Sequence, residues 1–458
     1  MKQNIARLVI LGVLIGLCLG QTIRLWLGDV SGHNFFAPQV INDEASHTEP
    51  KQIWCNISSK VYKIISSSEK EDLLEELMGG LRQSHLKLEK LSNEEYTKLL
   101  YETQGIIYEY AEGLSIGEIM GQTVGVNNEK YTTDKDIKEI YIDLSLADTS
   151  KTYIYLIGEK NQVKRKFSIS SALRSGMEVV NLYKENGQNY KEYQASMTNN
   201  NMAGWFESNV FYPIIDEKTP VSGKLFKFIS VIEKEEEVSL ENYVNELFKN
   251  PSYKTKSILL NGDIAFSDNF SISVIYRKKG TLEFETTLLN DVDKLNSAER
   301  LNKVNDFIKT SDAIPEQLKK GLYLENSLYN EETGEYCYRF GFRYENGEIV
   351  CLSSEAKSQL GLAAFLELKI KNSEITSGKW LMKIPENIEE EQEITMTSLE
   401  AYEAIYKNTG VNEETGFLLK DLECAYVISD INKVADFNWV GIYEGEPILA
   451  IEKNDNGQ

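Results

Sequence analysis

The sequence predicts an α+β protein: a single N-terminal transmembrane helix, then extracytoplasmic domains of antiparallel sheets with packed helices, ending in a duplicated helix-plus-strands unit. Three observations carry this. One apolar span fills residues 5–27. Beyond residue 50, helix-period segments interleave with short alternating strands, the mixed order of helices packed on antiparallel sheets. A helix followed by strands then recurs near the C-terminus, as in an internal repeat.

From Ile5 to Leu27 the strongly polar interruptions are Arg7, Gln21, Thr22 and Arg24. A helix rising about 1.5 Å per residue over that span crosses a hydrocarbon core of roughly 30 Å. Lys2, Arg7 and the terminal amine precede the span and Asp43 with Glu44 follows it, so the N-terminus is expected inside and the bulk of the chain outside. No A-x-A-like site follows the apolar core, which favours a retained signal-anchor over a cleaved signal. Cys18 follows the bulky Leu17, against lipidation. Gly12, Gly16 and Gly20 share one helical stripe that Arg24 extends, and small residues there let a partner helix approach closely. Arg24 and the interfacial Trp26 complete the expected partner-helix docking set; the alternative is that glycine is simply common in membrane helices.

The expected domains are a tail 1–4, the anchor 5–27, a linker 28–50, an N-terminal α+β domain 51–235, a central helix and β-meander 236–295, and a C-terminal duplicated unit 296–458. Ser68 with Glu71 reads as a capping box ahead of Leu73, Leu74, Leu77, Met78 and Leu81, and Ser92 with Glu95 as another ahead of Tyr96, Leu99 and Leu100. Strands are predicted over 105–110, 137–144, 151–157 and 162–169, then a helix over 170–183. The acidic residues Glu233 and Glu235 to Glu237 mark a boundary before a helix over 240–248. A meander follows, with strands over 255–260, 263–266, 270–276 and 282–286 and turns at Asn261-Gly262 and Lys278 to Gly280. The repeat comprises a helix over 297–310 with strands 322–329, 336–344 and 348–352, and a helix over 397–406 with strands 418–429, 437–443 and 447–452. Tyr336, Tyr338, Phe340, Phe342 and Tyr344 share one strand face. The two copies are expected to stack.

The formal charge of −22 argues against nucleic acid and would repel anionic lipids and acidic wall polymers. Short basic runs such as Arg277-Lys278-Lys279 read as strand flanks or turns. Of the five cysteines, four lie beyond the anchor. A two-residue turn at Asn346-Gly347 would set Phe342 opposite Cys351 and send Cys337 to the other face, so no bond between those cysteines is expected; Cys55 with Cys424 stays open. Free thiols outside the membrane fit a reducing or anaerobic habitat.

Catalytic chemistry is sparse. The three histidines, His33, His47 and His85, are too scattered for a triad or metal cluster. No nucleophile elbow, phosphate loop or dinucleotide fingerprint occurs, so no enzyme activity, cofactor or metal is expected. Asp263 with Asp268 could mimic an acid/base pair, but turn-flanking Asp residues usually serve local hydrogen bonds. Glu389 to Glu391 read as solvated loop charges. The twenty-five tyrosines could line a glycan groove, but alternating aromatic strand faces more often form core.

Several segments resemble the YycH family. They are the anchor ending in Leu25-Trp26, Leu247-Phe248-Lys249-Asn250-Pro251-Ser252 leading into Ile264-Ala265-Phe266-Ser267-Asp268, and Tyr338 to Cys351 with Phe340-Gly341-Phe342-Arg343 ahead of Asn346-Gly347. The closing unit, Ala425-Tyr426 through Trp439 to Pro447, is similar to the fold shared with YycI. The resemblance implies a membrane-anchored regulator of the YycG/YycF (WalK/WalR) two-component system. Such a protein would form a complex with a sensor histidine kinase and a YycI-like protein and adjust cell-wall metabolism; a homodimer is also compatible. With only a few residues inside, the message would pass sideways to another membrane protein. The rival reading is an anchored surface protein that binds wall fragments or peptides; an anchored hydrolase ranks below both.

Overall fold

The computed structural model describes residues 48–83, 92–121, 137–145, 152–158, 163–169, 173–199, 201–216, 218–232, 237–268, 271–287, 295–409 and 417–450. The expected tail, anchor, docking stripe and most of the linker lie outside the described residues, as do the three histidines and residues 233–236. Among the described residues no helix is long and apolar enough to cross a membrane.

The first half contains β1 (Gln52–Ile57), β2 (Lys60–Lys63), α1 (Ser67–Gln83), α2 (Asn93–Glu102), β3 (Gln104–Leu114), α3 (Ile116–Met120), β4 (Ile137–Asp143), β5 (Thr152–Gly158), β6 (Val163–Ile169), α4 (Arg174–Asn186), β7 (Glu192–Ala195) and β8 (Phe211–Pro213). Its strands form one antiparallel sheet in the order β6-β5-β4-β3-β1-β2-β7-β8. Both faces are covered, because alternate residues point to opposite sides. Ile53, Ile106, Tyr108, Ile140 and Ile142 face the leucine stripe of α1 and Val179, Val180 and Tyr183 of α4. Trp54, Ile107 and Tyr141 face Tyr96 and Leu100 of α2.

Caps decide where the helices begin. Ser92 and Glu95 form the expected capping box of α2, and Ser115 with Glu118 forms another on α3. The start of α1 differs from expectation. The Glu69 amide reaches Ser66 Oγ at 3.5 Å, so the cap is Ser66, and Ser68 lies inside the first turn. In the β1–β2 hairpin, Ser58 and Ser59 adopt φ of 48° and 80°. That is the positive-φ pair a two-residue type I′ loop demands. Their amides donate to Thr103 and Leu100 carbonyls at the end of α2, which holds the non-glycine turn in place.

The second half contains β9 (Val221–Ser230), α5 (Glu237–Asn245), β10 (Thr255–Ile258), β11 (Ile264–Ser267), β12 (Ile272–Arg277), β13 (Thr281–Thr286), α6 (Ser297–Thr310), α7 (Glu316–Gly321), β14 (Leu322–Asn330), β15 (Glu335–Arg343), β16 (Ile349–Leu352), α8 (Ser354–Leu360), β17 (Leu366–Lys371), β18 (Glu374–Leu381), β19 (Lys383–Ile394), α9 (Ser398–Thr409), β20 (Asp421–Ile428), β21 (Asp436–Tyr443) and β22 (Glu446–Leu449). The antiparallel order is β10-β11-β12-β13-β18-β17-β15-β14. The strands β17 and β18 therefore join the expected central meander to β15.

Three features differ from the sequence-based expectation. Phe342 pairs with Val350 and Arg343 with Ile349, so the β15–β16 connection is a three-residue loop over Glu345–Gly347, with Gly347 at φ 80°. The one-residue slip puts Cys351 on the same face as Cys337, because opposed residues share a face. The two thiols are separated along the sheet, and all four described cysteines are free. Second, the two helix-plus-strands copies do not stack. β16 pairs with β20 in parallel, joining β14-β15-β16 to β20-β21-β22 edge to edge. Third, Glu389 to Glu391 belong to β19, not to a loop; they are exposed beside the register break of its ribbon with β9.

The aromatic face of β15 is core: Tyr338, Phe340, Phe342 and Tyr344 are buried. Phe226 and Phe228 of β9 pack onto it, with Phe226 4.0 Å from the Tyr344 ring and Phe228 6.1 Å from Phe342. This face is therefore core rather than a groove. Trp380 is fully buried and donates to the Ala313 carbonyl at 3.0 Å, satisfying its one polar atom.

Candidate functional site

The two halves meet at several places, the Phe206–Leu419 backbone bridge among them, and one of these meetings is made by charge. β3 pairs regularly with β4 as far as Glu109, then loses register before Leu114, with Gly113 at φ 81°. The bulge frees Glu112 to pair with Asn326 of β14, a strand bridge between the sheets. Immediately beside it, Lys51 at the mouth of β1 places Nζ 2.6 Å from Asp421 Oδ2 and 3.6 Å from Glu109 Oε1. Glu109 accepts a second bond from Trp54 Nε1 at 3.1 Å, so its carboxylate is fixed from both sides.

Further contacts extend this joint to the β15–β16 loop. The Gly347 carbonyl accepts from Lys63 Nζ at 2.7 Å and from Gln52 Nε2 at 3.3 Å. Arg343 donates to the Pro50 carbonyl at 2.8 Å, and its guanidinium stands 4.6 Å from the Tyr323 ring centroid. Behind the ion pair is a cavity of about 210 Å³, bordered by Lys51, Glu109, Lys138, Asp421 and Glu423. Tyr110 and Asn326 also border it, and the Tyr110 hydroxyl and Asn326 Oδ1 have no hydrogen-bond partner among the described residues.

The environment separates the titrating groups. Burial opposes the Lys51 charge, but Asp421, Glu109 and Glu423 outweigh it and raise its pKa well above the usual lysine range. Burial also opposes the Asp421 charge, yet Lys51 holds that carboxyl below its ordinary value. For Glu423, burial and the Asp421 charge outweigh the attraction of Lys51 and Lys63 and push it up to about 8. Burial raises the Cys351 thiol, which is therefore a poor nucleophile. Neither the lysine, locked in its charged form, nor the raised thiol is an activated nucleophile. The arrangement can hold two sheets together electrostatically and enclose a small polar space.

The sequence did not single out these residues. Lys51 and Asp421 are 370 positions apart, and each is an isolated charge at a strand end. Of the pairs it did weigh, Asp263 accepts from the Lys278 amide and Arg277, and Asp268 from the Ser271 and Ile272 amides. Both serve local turns, as the plainer reading had it. The expected docking residues Gly12, Gly16, Gly20, Arg24 and Trp26 lie outside the described residues. Among those described, no group of three His, Cys, Asp or Glu side chains is placed to hold a metal ion.

No protein-family model and no curated protein matches the sequence. Among solved structures, the crystal structure of YycH from Bacillus subtilis aligns with a TM-score of 0.61 at 14% sequence identity. The alignment covers 89% of this chain and 96% of that one. At such identity the likeness speaks for the fold: this chain has an α+β architecture similar to that of Bacillus subtilis YycH over nearly the whole of both chains.

Proposed function

We propose that the chain is a non-enzymatic regulator, anchored by residues 5–27 with its N-terminus inside, that binds a YycG/WalK-like sensor histidine kinase and a YycI-like protein and modulates kinase output. The observation that carries this reading is the shared architecture with YycH across 89% of the chain, which agrees with the family resemblance of separate sequence segments. The joint between the sheets supports it. Lys51 follows the anchor and linker in the chain and is bonded to both sheets, so displacement of the linker would be felt by the whole outer region.

A regulator shifts a two-state kinase only if its contacts differ in strength between the states. Interhelical contacts contribute about 0.5–2 kcal/mol each, which changes populations several-fold and gives graded control. The test is a crosslinking pull-down from membranes. A sensor kinase in the eluate, lost when residues 5–27 are replaced by a leucine-only span, supports the reading. Retention of soluble muropeptides with no kinase would overturn it in favour of wall-fragment capture.

A further inference from the structure

The run Arg277-Lys278-Lys279, a strand end and turn in the fold, is not used by the joint. It forms one wall of a second cleft, of about 660 Å³, between the β12–β13 turn and the end of α8. Lys379 of β18 and Lys383 of β19 complete the cationic lining, and the carboxylates facing it are Asp263 and Glu283. Five cations against two carboxylates leave a formal charge of +3 in a chain of −22. Such a local reversal of sign focuses an anion's approach.

Both carboxylates are already engaged. Glu283 takes Arg277 at 3.1 Å and Lys379 at 2.8 Å, while Asp263 takes Arg277 at 3.0 Å and the Lys278 amide at 3.0 Å. Lys278 and Lys279 are exposed and have no ion pair among the described residues. Lys383 is 8% exposed, and its ammonium donates to the neutral Asn432 Oδ1 at 2.8 Å. The neighbouring Asp430 turns its carboxylate to the Asn432 amides at 3.0 and 3.3 Å instead. Burial lowers the Lys383 pKa, with the Asp430 charge opposing the shift. The fold makes room for this lysine: a Cβ on Gly280, at φ 99°, would lie 2.7 Å from its Cε.

We propose that this cleft binds a phosphate-bearing anion, a phosphomonoester or phosphodiester head held by Lys278, Lys279 and Lys383, with Arg277 and Lys379 as its fixed rear wall. Lysine suits this role as a mobile point charge with three donors. The cleft volume admits a headgroup of glycerol-phosphate size, and the same chemistry occurs in soluble polyol phosphates and in phosphatidylglycerol.

The test is calorimetric titration of the detergent-solubilised full chain with inorganic phosphate, glycerol phosphate and dihexanoyl-phosphatidylglycerol. Saturable binding is expected, weakening with salt and falling at least about tenfold in Lys278→Gln/Lys279→Gln, whose exposed sites leave the fold unaffected. Lys383→Met should weaken it similarly, with circular dichroism checking that it folds. Preference for glycerol phosphate would identify a soluble source and preference for the lipid a headgroup source; either upholds the assignment. Absence of saturable heat with all three probes, or equal affinity in the folded variants, would overturn it.

Discussion

Removing the Lys51 ammonium by Lys51→Met tests the joint. The residue keeps its length but loses a 2.6 Å bond to Asp421 and a 3.6 Å pairing with Glu109. Deleting one member of a fully buried pair costs about 3–5 kcal/mol, and an exposed pair is worth about 0–1. The Lys51 and Asp421 side chains are each 20% exposed, so the expected loss is intermediate, about 2–3 kcal/mol. Asp421→Asn leaves Lys51 with Glu109 and should cost about 1 kcal/mol. The double variant should then be less destabilised than the sum, with a coupling of at least ~1 kcal/mol in urea unfolding of the full chain. Additivity within about 0.5 kcal/mol would show that the two charges do not act as a unit and refute the account of the joint.

Other expectations follow from separate features. Glu139 is 1% exposed and receives a hydrogen bond from the Tyr96 hydroxyl; burial raises its pKa from 4.5 to about 7. The native state keeps this proton where the unfolded chain has lost it. The contribution is therefore complete below about pH 4.5 and lost as pH rises to about 7, roughly 3 kcal/mol in all. Glu139→Gln should flatten the fall in urea midpoint between pH 5 and 7.5, and parallel curves for the two proteins would contradict this. In the proposed anchor, Gly16→Leu should weaken association with the proposed partner kinase's helix in a membrane two-hybrid assay while Val13→Leu should not; equal signals would remove the docking stripe. Thermal stability should be indifferent to a chelator, since no three His, Cys, Asp or Glu side chains among the described residues are placed to hold an ion, and a fall in Tm on chelation would count against that.

Elements with strong local signals were legible in the sequence. The Ser92–Glu95 box, the α6 segment and the aromatic alternation of β15 appear in the structure as expected, because their caps and periodicity depend on near neighbours. The hairpin at Asn346-Gly347 was misread by one residue, since the dipeptide fits both a two-residue turn and the end of a three-residue loop. Strand β17 was missed although Leu366, Leu368 and Ile370 alternate with Glu367, Lys369 and Lys371, a pattern that could have revealed it. The joint was not legible. Lys51, Glu109, Asp421 and Glu423 are ordinary charges in an acidic chain, and only the bulge in β3 and the strand order bring them together.

The central claim is that the chain acts on a sensor kinase through the membrane. Reconstituting the kinase in liposomes with increasing amounts of the full-length chain and measuring autophosphorylation tests this most directly. The account predicts a saturable, several-fold change in rate that is much reduced when the leucine-only anchor replaces residues 5–27. A rate that stays constant at every ratio, with the native chain demonstrably inserted beside the kinase, would contradict it.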